Sequence, residues 1–94
     1  MTTFLMSGKY SSEALKEMSA KRTGAAVDLI RRYGGQVKSM YATLGTSYLL
    51  LVVDFPGVEE AMKASVALGR LTGIGFVTAT AVSVERFDQL VEQL

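Results

Sequence analysis

Residues 48–55 read Tyr-Leu-Leu-Leu-Val-Val-Asp-Phe, and this stretch decides the fold. Two faces follow from the two-residue period of a β-strand: Leu49, Leu51, Val53 and Phe55 on one, and Tyr48, Leu50, Val52 and Asp54 on the other. Both faces are apolar along most of their length. Such a strand needs cover on both sides, which is typical of a central strand.

The composition describes an ordinary folded chain. Of its 94 residues 49% are hydrophobic and 20% are charged, and the formal net charge is +1. This predicts a single domain over residues 1–94. Acidic and basic residues alternate without a basic stripe, so we expect no nucleic-acid binding. No apolar run approaches the roughly 18 residues of a membrane span, so no membrane partner is expected.

Two residue types that carry much of protein chemistry are missing. The chain has neither cysteine nor histidine, which removes disulfides, thiolate nucleophiles, the commonest general base and the usual ligands of zinc and haem iron. We therefore expect no metal site and no cofactor. The lack of cysteine and of a signal peptide at Met1–Tyr10 fits a cytoplasmic protein.

The apolar periodicity predicts four strands and three helices. The strands are Thr2–Tyr10, Gln36–Thr43, Tyr48–Phe55 and Ile74–Ala81, with a hairpin loop at 44–47. The helices run from Ser11 or Ser12 to Gly34-Gly35, from Val58 to Leu71 and from Val84 to Leu94. The first is expected to bend at 21–24 because of Gly24. This order, β-α-β-β-α-β plus a C-terminal helix, predicts an α+β ferredoxin-like sandwich whose first and third strands are central.

The helices are expected to bury their largest apolar side chains. These are Leu15, Met18, Ala25 or Ala26, Leu29 and Tyr33 in the first helix, and Val58, Met62 and Val66 in the second. The stripe of the C-terminal helix is Val84, Phe87, Leu90, Val91 and Leu94.

Two crossover helices can cover only one face of a four-stranded sheet, and the other face is also apolar. That face measures on the order of 350 Å² in projection, near the usual limit for an exposed apolar patch. We therefore expect a homodimer in which the two open faces meet. The C-terminal helix is the competing cover, and the sequence leaves assembly beyond a dimer open.

The hairpin and the central strand resemble the GYD-domain family of small bacterial and archaeal proteins. The similarity lies in Tyr41-Ala42-Thr43-Leu44-Gly45 and in an aliphatic strand that ends in an acidic residue and Pro56. The opening strand with Tyr10-Ser11 and the region of Arg22 are similar too. On ungapped spacing Ser47 and Tyr48 take the places of the family's tyrosine and aspartate, so no carboxylate stands there. The resemblance implies a dimeric α/β barrel, a group that includes cofactor-free monooxygenases, haem enzymes and ligand-binding modules.

Four residues are candidates for binding a ligand: Tyr10, Arg22, Tyr48 and Asp54. Arg22 falls on the apolar stripe of the first helix, where a guanidinium needs a carboxylate, a carbonyl or an anionic ligand. Asp54 is the internal candidate for its partner, although it also suits the end of the strand before Pro56. The alternative for Arg22 is that its head group reaches water or joins a structural ion pair. Tyr10 and Tyr48 suit either a ligand or the core, and no catalytic residue is identified.

Two functions compete. The first is a small oligomeric binding or structural protein that holds a small apolar or anionic ligand between sheet and helices. The second is a cofactor-independent oxygenase or isomerase acting on a small aromatic substrate. The second predicts a closed pocket of roughly a few hundred Å³ lined by Tyr10, Arg22 or Tyr48.

Overall fold

The structure is a computed structural model, and it describes residues 1–44 and 49–94. The strands are β1 (Thr2–Lys9), β2 (Gln36–Ala42), β3 (Leu49–Phe55) and β4 (Gly75–Ala81). The helices are α1 (Ser12–Lys16), α2 (Ala20–Arg32), α3 (Val58–Thr72) and α4 (Val84–Glu92). Residues 45–47 of the predicted hairpin loop, and Tyr48 after it, lie outside the described residues.

The four strands form one antiparallel sheet in the order β2-β3-β1-β4. The α+β ferredoxin-like prediction is confirmed, with β1 and β3 in the centre and β2 and β4 at the edges. Pairing of β2 with β3 shifts register between Val37 and Ser39. The bulge at Lys38 adds one residue to the edge strand.

The hydrophobic core lies between the sheet and the helices α2 and α3. Leu51, Val53 and Phe55 of β3 are buried there beside Phe4 and Ile30. The rings of Phe4 and Phe55 meet edge to face with centroids 5.9 Å apart. The odd-numbered face of β3 is therefore the one that the helices cover.

Close packing explains Gly35, which follows α2. A Cβ atom there would lie 2.5 Å from the Phe55 ring and 2.8 Å from Ile30. The glycine lets the chain pass directly over the core as it enters β2.

The first predicted helix is two helices, and the bend predicted at 21–24 is wrong. The break comes earlier, between Lys16 and Ala20, because Ser19 starts a new helix by accepting a hydrogen bond from the backbone N–H of Arg22 (3.1 Å). Gly24 remains helical inside α2. In α1 the buried residue is Ala14, whereas Leu15 is exposed.

The predicted buried side of α3 is also wrong. Val58, Met62 and Val66 are 56%, 63% and 59% exposed. The buried side consists of Ala61, Ala64 and Leu68. Small side chains let the helix axis approach the sheet closely, and the larger apolar residues are left on its flank.

The second face of the sheet carries side chains that neither α2 nor α3 covers. We call it the open face, and its apolar members are Leu5, Tyr41, Leu50, Val52, Val77 and Ala79. Helix α4 has no buried residue, so it does not act as a lid over this face.

Candidate functional site

Arg22 is directed towards the sheet by the start of α2. Ser19 caps the helix, so Arg22 falls in the first turn, where the helix dipole is positive. Its side chain is only 13% exposed, whereas its nearest carboxylate, Glu17, is 76% exposed. The guanidinium therefore lies between α2 and the sheet, and it also forms an ion pair with Glu17.

The guanidinium has poor partners inside the chain. Arg22 Nη2 lies 3.0 Å from the Met18 sulfur, which is a weak acceptor. Arg22 Nη1 is 3.7 Å from Glu17 Oε2, within ion-pair range but too far for a hydrogen bond. Among the described residues, this buried Nη1 has no hydrogen-bond partner. A desolvated cation with an unused donor is costly unless an acceptor is supplied.

A cavity of about 30 Å³ adjoins this guanidinium, between α2 and the sheet. We call it the Arg22 cavity. Its lining is Met18, Arg22, Thr23, Ala26, Met40, Leu49, Thr72, Ile74 and Phe76. The Thr72 hydroxyl is already used, since it donates to Leu68 O (2.7 Å) and accepts from the Ile74 N–H (3.1 Å). The volume suits one water molecule or one small ion.

Asp54 lies on the opposite side of the sheet, so the expected pairing with Arg22 is not formed. Its Oδ1 accepts a hydrogen bond from the Thr3 hydroxyl at 2.7 Å, and its Oδ2 lies 3.5 Å from Lys38 Nζ. The Thr3 hydrogen bond, and after it the charge of Lys38, hold the pKa of Asp54 below its ordinary value despite some desolvation. These three residues form a polar cluster at one end of the open face.

Tyr10 lies apart from both Arg22 and Asp54. It lines a surface cleft of about 460 Å³ with Ser11, Ser12, Leu15, Thr43 and Leu44. Tyr48 lies outside the described residues. The structure therefore does not bring Tyr10, Arg22 and Asp54 together, and only Arg22 lies between the helices and the sheet.

The sequence placed Met18 beside Arg22 on one apolar stripe, but it did not indicate Glu17 as a neighbour of Arg22, or Lys38 and Thr3 as those of Asp54. Met18 contacts Arg22 from the break between α1 and α2, not from a shared helical face. No feature of the sequence predicted the bulge that turns Lys38 towards Asp54.

In the described part of the chain, no group of acidic side chains is placed to hold a metal ion. No helix in residues 1–44 and 49–94 has the length and apolarity to span a bilayer.

Comparison with known proteins gives one match. A family model described as GYD domain matches residues 4–91, almost the whole chain. No curated protein and no solved structure shows significant similarity to it.

Proposed function

The chain belongs to the GYD domain family, and we propose that this member is a small-anion-binding protein that works as a homodimer. The observation that carries the proposal is the Arg22 guanidinium, whose Nη1 is buried beside a cavity without a hydrogen-bond partner among the described residues. Membership of a fold family alone implies no activity, and anion binding is inferred from the Arg22 site instead.

An anion in the Arg22 cavity would remove the unfavourable feature of the site. It would accept from the unused Nη1 donor in a charge-assisted hydrogen bond. It would also balance the positive charge of Arg22, which the exposed Glu17 carboxylate at 3.7 Å balances only in part. The first turn of α2 adds the positive end of its dipole. The Thr23 side chain lines the same space and offers a hydroxyl.

The size of the cavity limits the ligand. About 30 Å³ accommodates an ion such as formate or nitrate, or the head of a small carboxylic acid. A longer ligand would have to displace Met18, an adaptable side chain beside the break between α1 and α2. The otherwise apolar lining favours a ligand with a short apolar body.

The dimer completes the proposal. The open face places Leu5, Leu50 and Val52 side by side on the two central strands, with no helix of the described chain packed over them. Pairing two such faces about a two-fold axis would bury them and would place each Thr3–Asp54–Lys38 cluster at the interface. A cytoplasmic location belongs to the same proposal and rests on the lack of cysteine.

The alternative enzyme has less support. It requires a closed pocket of roughly a few hundred Å³ around the substrate, whereas the cavity at Arg22 measures about 30 Å³. The cleft at Tyr10 is larger but contains neither Arg22 nor Asp54.

The test compares Arg22→Gln with Arg32→Gln, an exposed arginine in the same helix. Sodium formate and sodium nitrate are the probes. As each is added, it replaces the sodium salt of a sulfonate too bulky for the cavity, so that the ionic strength stays constant. Binding to the folded state raises the melting temperature as the anion concentration increases. We expect this rise in the wild type and Arg32→Gln and its loss in Arg22→Gln. Equal rises in all three proteins, or none in the wild type, would refute anion binding at Arg22.

A further inference from the structure

Helix α4 is strongly amphipathic, yet no element of the described chain buries any of its residues. Its apolar stripe consists of Val84, Phe87, Leu90 and Val91, and all four are exposed, Phe87 by 56%. No residue of α4 is buried. The polar side of the helix carries Glu85, Gln89 and Glu92 at helical spacing.

An isolated helix of this length is not stable in water. The element has nine residues, whereas isolated helices shorter than about 12–15 residues are marginal. Ser83 caps its N-terminus by accepting from the Arg86 N–H at 3.1 Å, but a cap adds only about 1 kcal/mol or less to an exposed helix. Helix α4 therefore needs a surface on which its apolar stripe is buried.

The chain also exposes a matching groove, between α3 and the edge strand β4. We call it the α3–β4 groove. Val58, Met62 and Val66 form its helical wall, Thr78 and Thr80 form its strand wall, and Phe4 lies at its base, around a volume of about 310 Å³. The helical wall presents one apolar side chain per turn, which is the spacing at which a second helix can pack.

The nearest cations to the groove lie across its helical wall. Lys63 and Arg70 line the cleft on the Tyr33 side of Met62 and Val66, and the acidic residues of α3, Glu59 and Glu60, are confined to its first turn. Helix α4 carries Glu85, Asp88 and Glu92 against a single cation, Arg86. Docking would bring the acidic side of α4 near Lys63 and Arg70, across Met62 and Val66, which favours this pairing over the contact of two grooves or of two α4 helices.

We propose that α4 of one copy docks in the α3–β4 groove of a second copy, and that the exchange is reciprocal. Four apolar side chains on each α4 contribute on the order of 100 Å² each. Counting both helices and both grooves, the contact would cover on the order of 1,600 Å², the standard size of a stable interface. This contact goes beyond the proposed function, because it uses neither the Arg22 cavity nor the open face.

The occupant is a second copy because of how α4 leaves the sheet. Only Val82 and Ser83 connect β4 to α4, and Ser83 is held in an extended conformation by its capping role. In this conformation α4 does not fill the groove of its own chain. Two copies can bury both surfaces by exchange without changing that connection.

Introduced cysteines can test this contact by cross-linking, because the natural chain has no cysteine that could form other disulfides. In the variant Phe87→Cys/Met62→Cys, mild oxidation should give a covalent dimer on non-reducing gels. An equimolar mixture of Phe87→Cys and Met62→Cys chains should give the mixed disulfide at least tenfold faster than a mixture of Phe87→Cys and Glu13→Cys, a matched control on the exposed side of α1.

Three results would overturn the proposal. A disulfide within one chain would mean that α4 closes on its own groove. Cross-linking no faster than in the Glu13→Cys control would mean that α4 does not dock there. Faster self-cross-linking of Met62→Cys than of the mixture would mean that two grooves meet. Each result is independent of anion binding at Arg22.

A second variant pair checks association without cysteines. Phe87→Asp should lower association beyond the open-face dimer, measured by sedimentation, at least tenfold, because a carboxylate cannot enter the apolar groove. Gln89→Asp adds the same charge on the opposite side of α4 and should leave association within twofold of the wild type. Equal association of the two variants would contradict the proposed contact.

Discussion

At the scale of single residues, Asp54 and Arg22 show what a strand period can and cannot reveal. The period assigned Asp54 correctly to the face of Leu50 and Val52. It could not tell which face the helices would cover, because both faces of β3 are apolar. Asp54, the partner proposed for Arg22, lies on the other side of the sheet, and the carboxylate nearest to Arg22 is that of Glu17.

Asp54 leads to a prediction on pH dependence. Its lowered pKa means that its ionised form stabilises the folded state above the pKa of the unfolded chain, and that this contribution is lost as pH falls through the folded pKa. Asp54→Asn should therefore be less stable than the wild type by about 1–2 kcal/mol at pH 6, mainly through the charge-assisted bond from Thr3. The difference should shrink below about pH 4.

Urea denaturation at pH 6 and pH 3, at one protein concentration, measures this difference. Asp28→Asn is the control, since Asp28 makes only an exposed pair with Arg31 at 3.9 Å and should change stability by under about 0.5 kcal/mol. A difference between Asp54→Asn and the wild type that is the same at both pH values would contradict the role given to the carboxylate.

At the scale of elements, the strands and the buried side of α2 were predictable, since Ala26 is buried and Leu29 and Tyr33 pack on the core, whereas the buried side of α3 was not. Strand bounds and order follow from alternation and from glycine or proline at the ends, and those signals are local. Which side of α3 is buried depends on how closely its axis approaches the sheet. Ala61 and Ala64 permit a close approach, so large Val58 and Met62 lie outside, against the expectation that the largest side chains are buried.

The break between α1 and α2 supports a prediction on Ser19. Its hydroxyl satisfies the backbone N–H of Arg22, so Ser19→Ala should destabilise the chain by about 1 kcal/mol. It should also weaken formate binding, since Arg22 would be less firmly placed. Ser12→Ala, within the first turn of α1 where Ser11 is the cap, should have under half of either effect. Urea denaturation and formate titration measure both, and equal effects of the two substitutions would argue against the cap.

At the scale of the whole molecule, the apolar surfaces that residues 1–44 and 49–94 leave uncovered include the open face, the α3–β4 groove and the stripe of α4. The sequence predicted the first from strand composition. It assigned the side of α3 that lines the groove to the core and gave α4 as the competing cover of the open face, since a 3.6-residue period shows that a helix has an apolar side but does not show what that side contacts.

The open face can be tested apart from the α4 contact by working in the Phe87→Asp background. The chain mass is 10.1 kDa, and we expect Phe87→Asp to sediment at micromolar concentration as a dimer of twice that mass. Adding Val52→Lys puts an ammonium at the centre of the open face, where pairing would desolvate it without an opposite charge, so this double variant should sediment as a monomer. Ala25→Lys adds the same charge on the exposed side of α2 and should leave the dimer intact. Monomeric Phe87→Asp would mean that the open faces do not pair by themselves, and a dimer that survives Val52→Lys would place the contact elsewhere on the molecule.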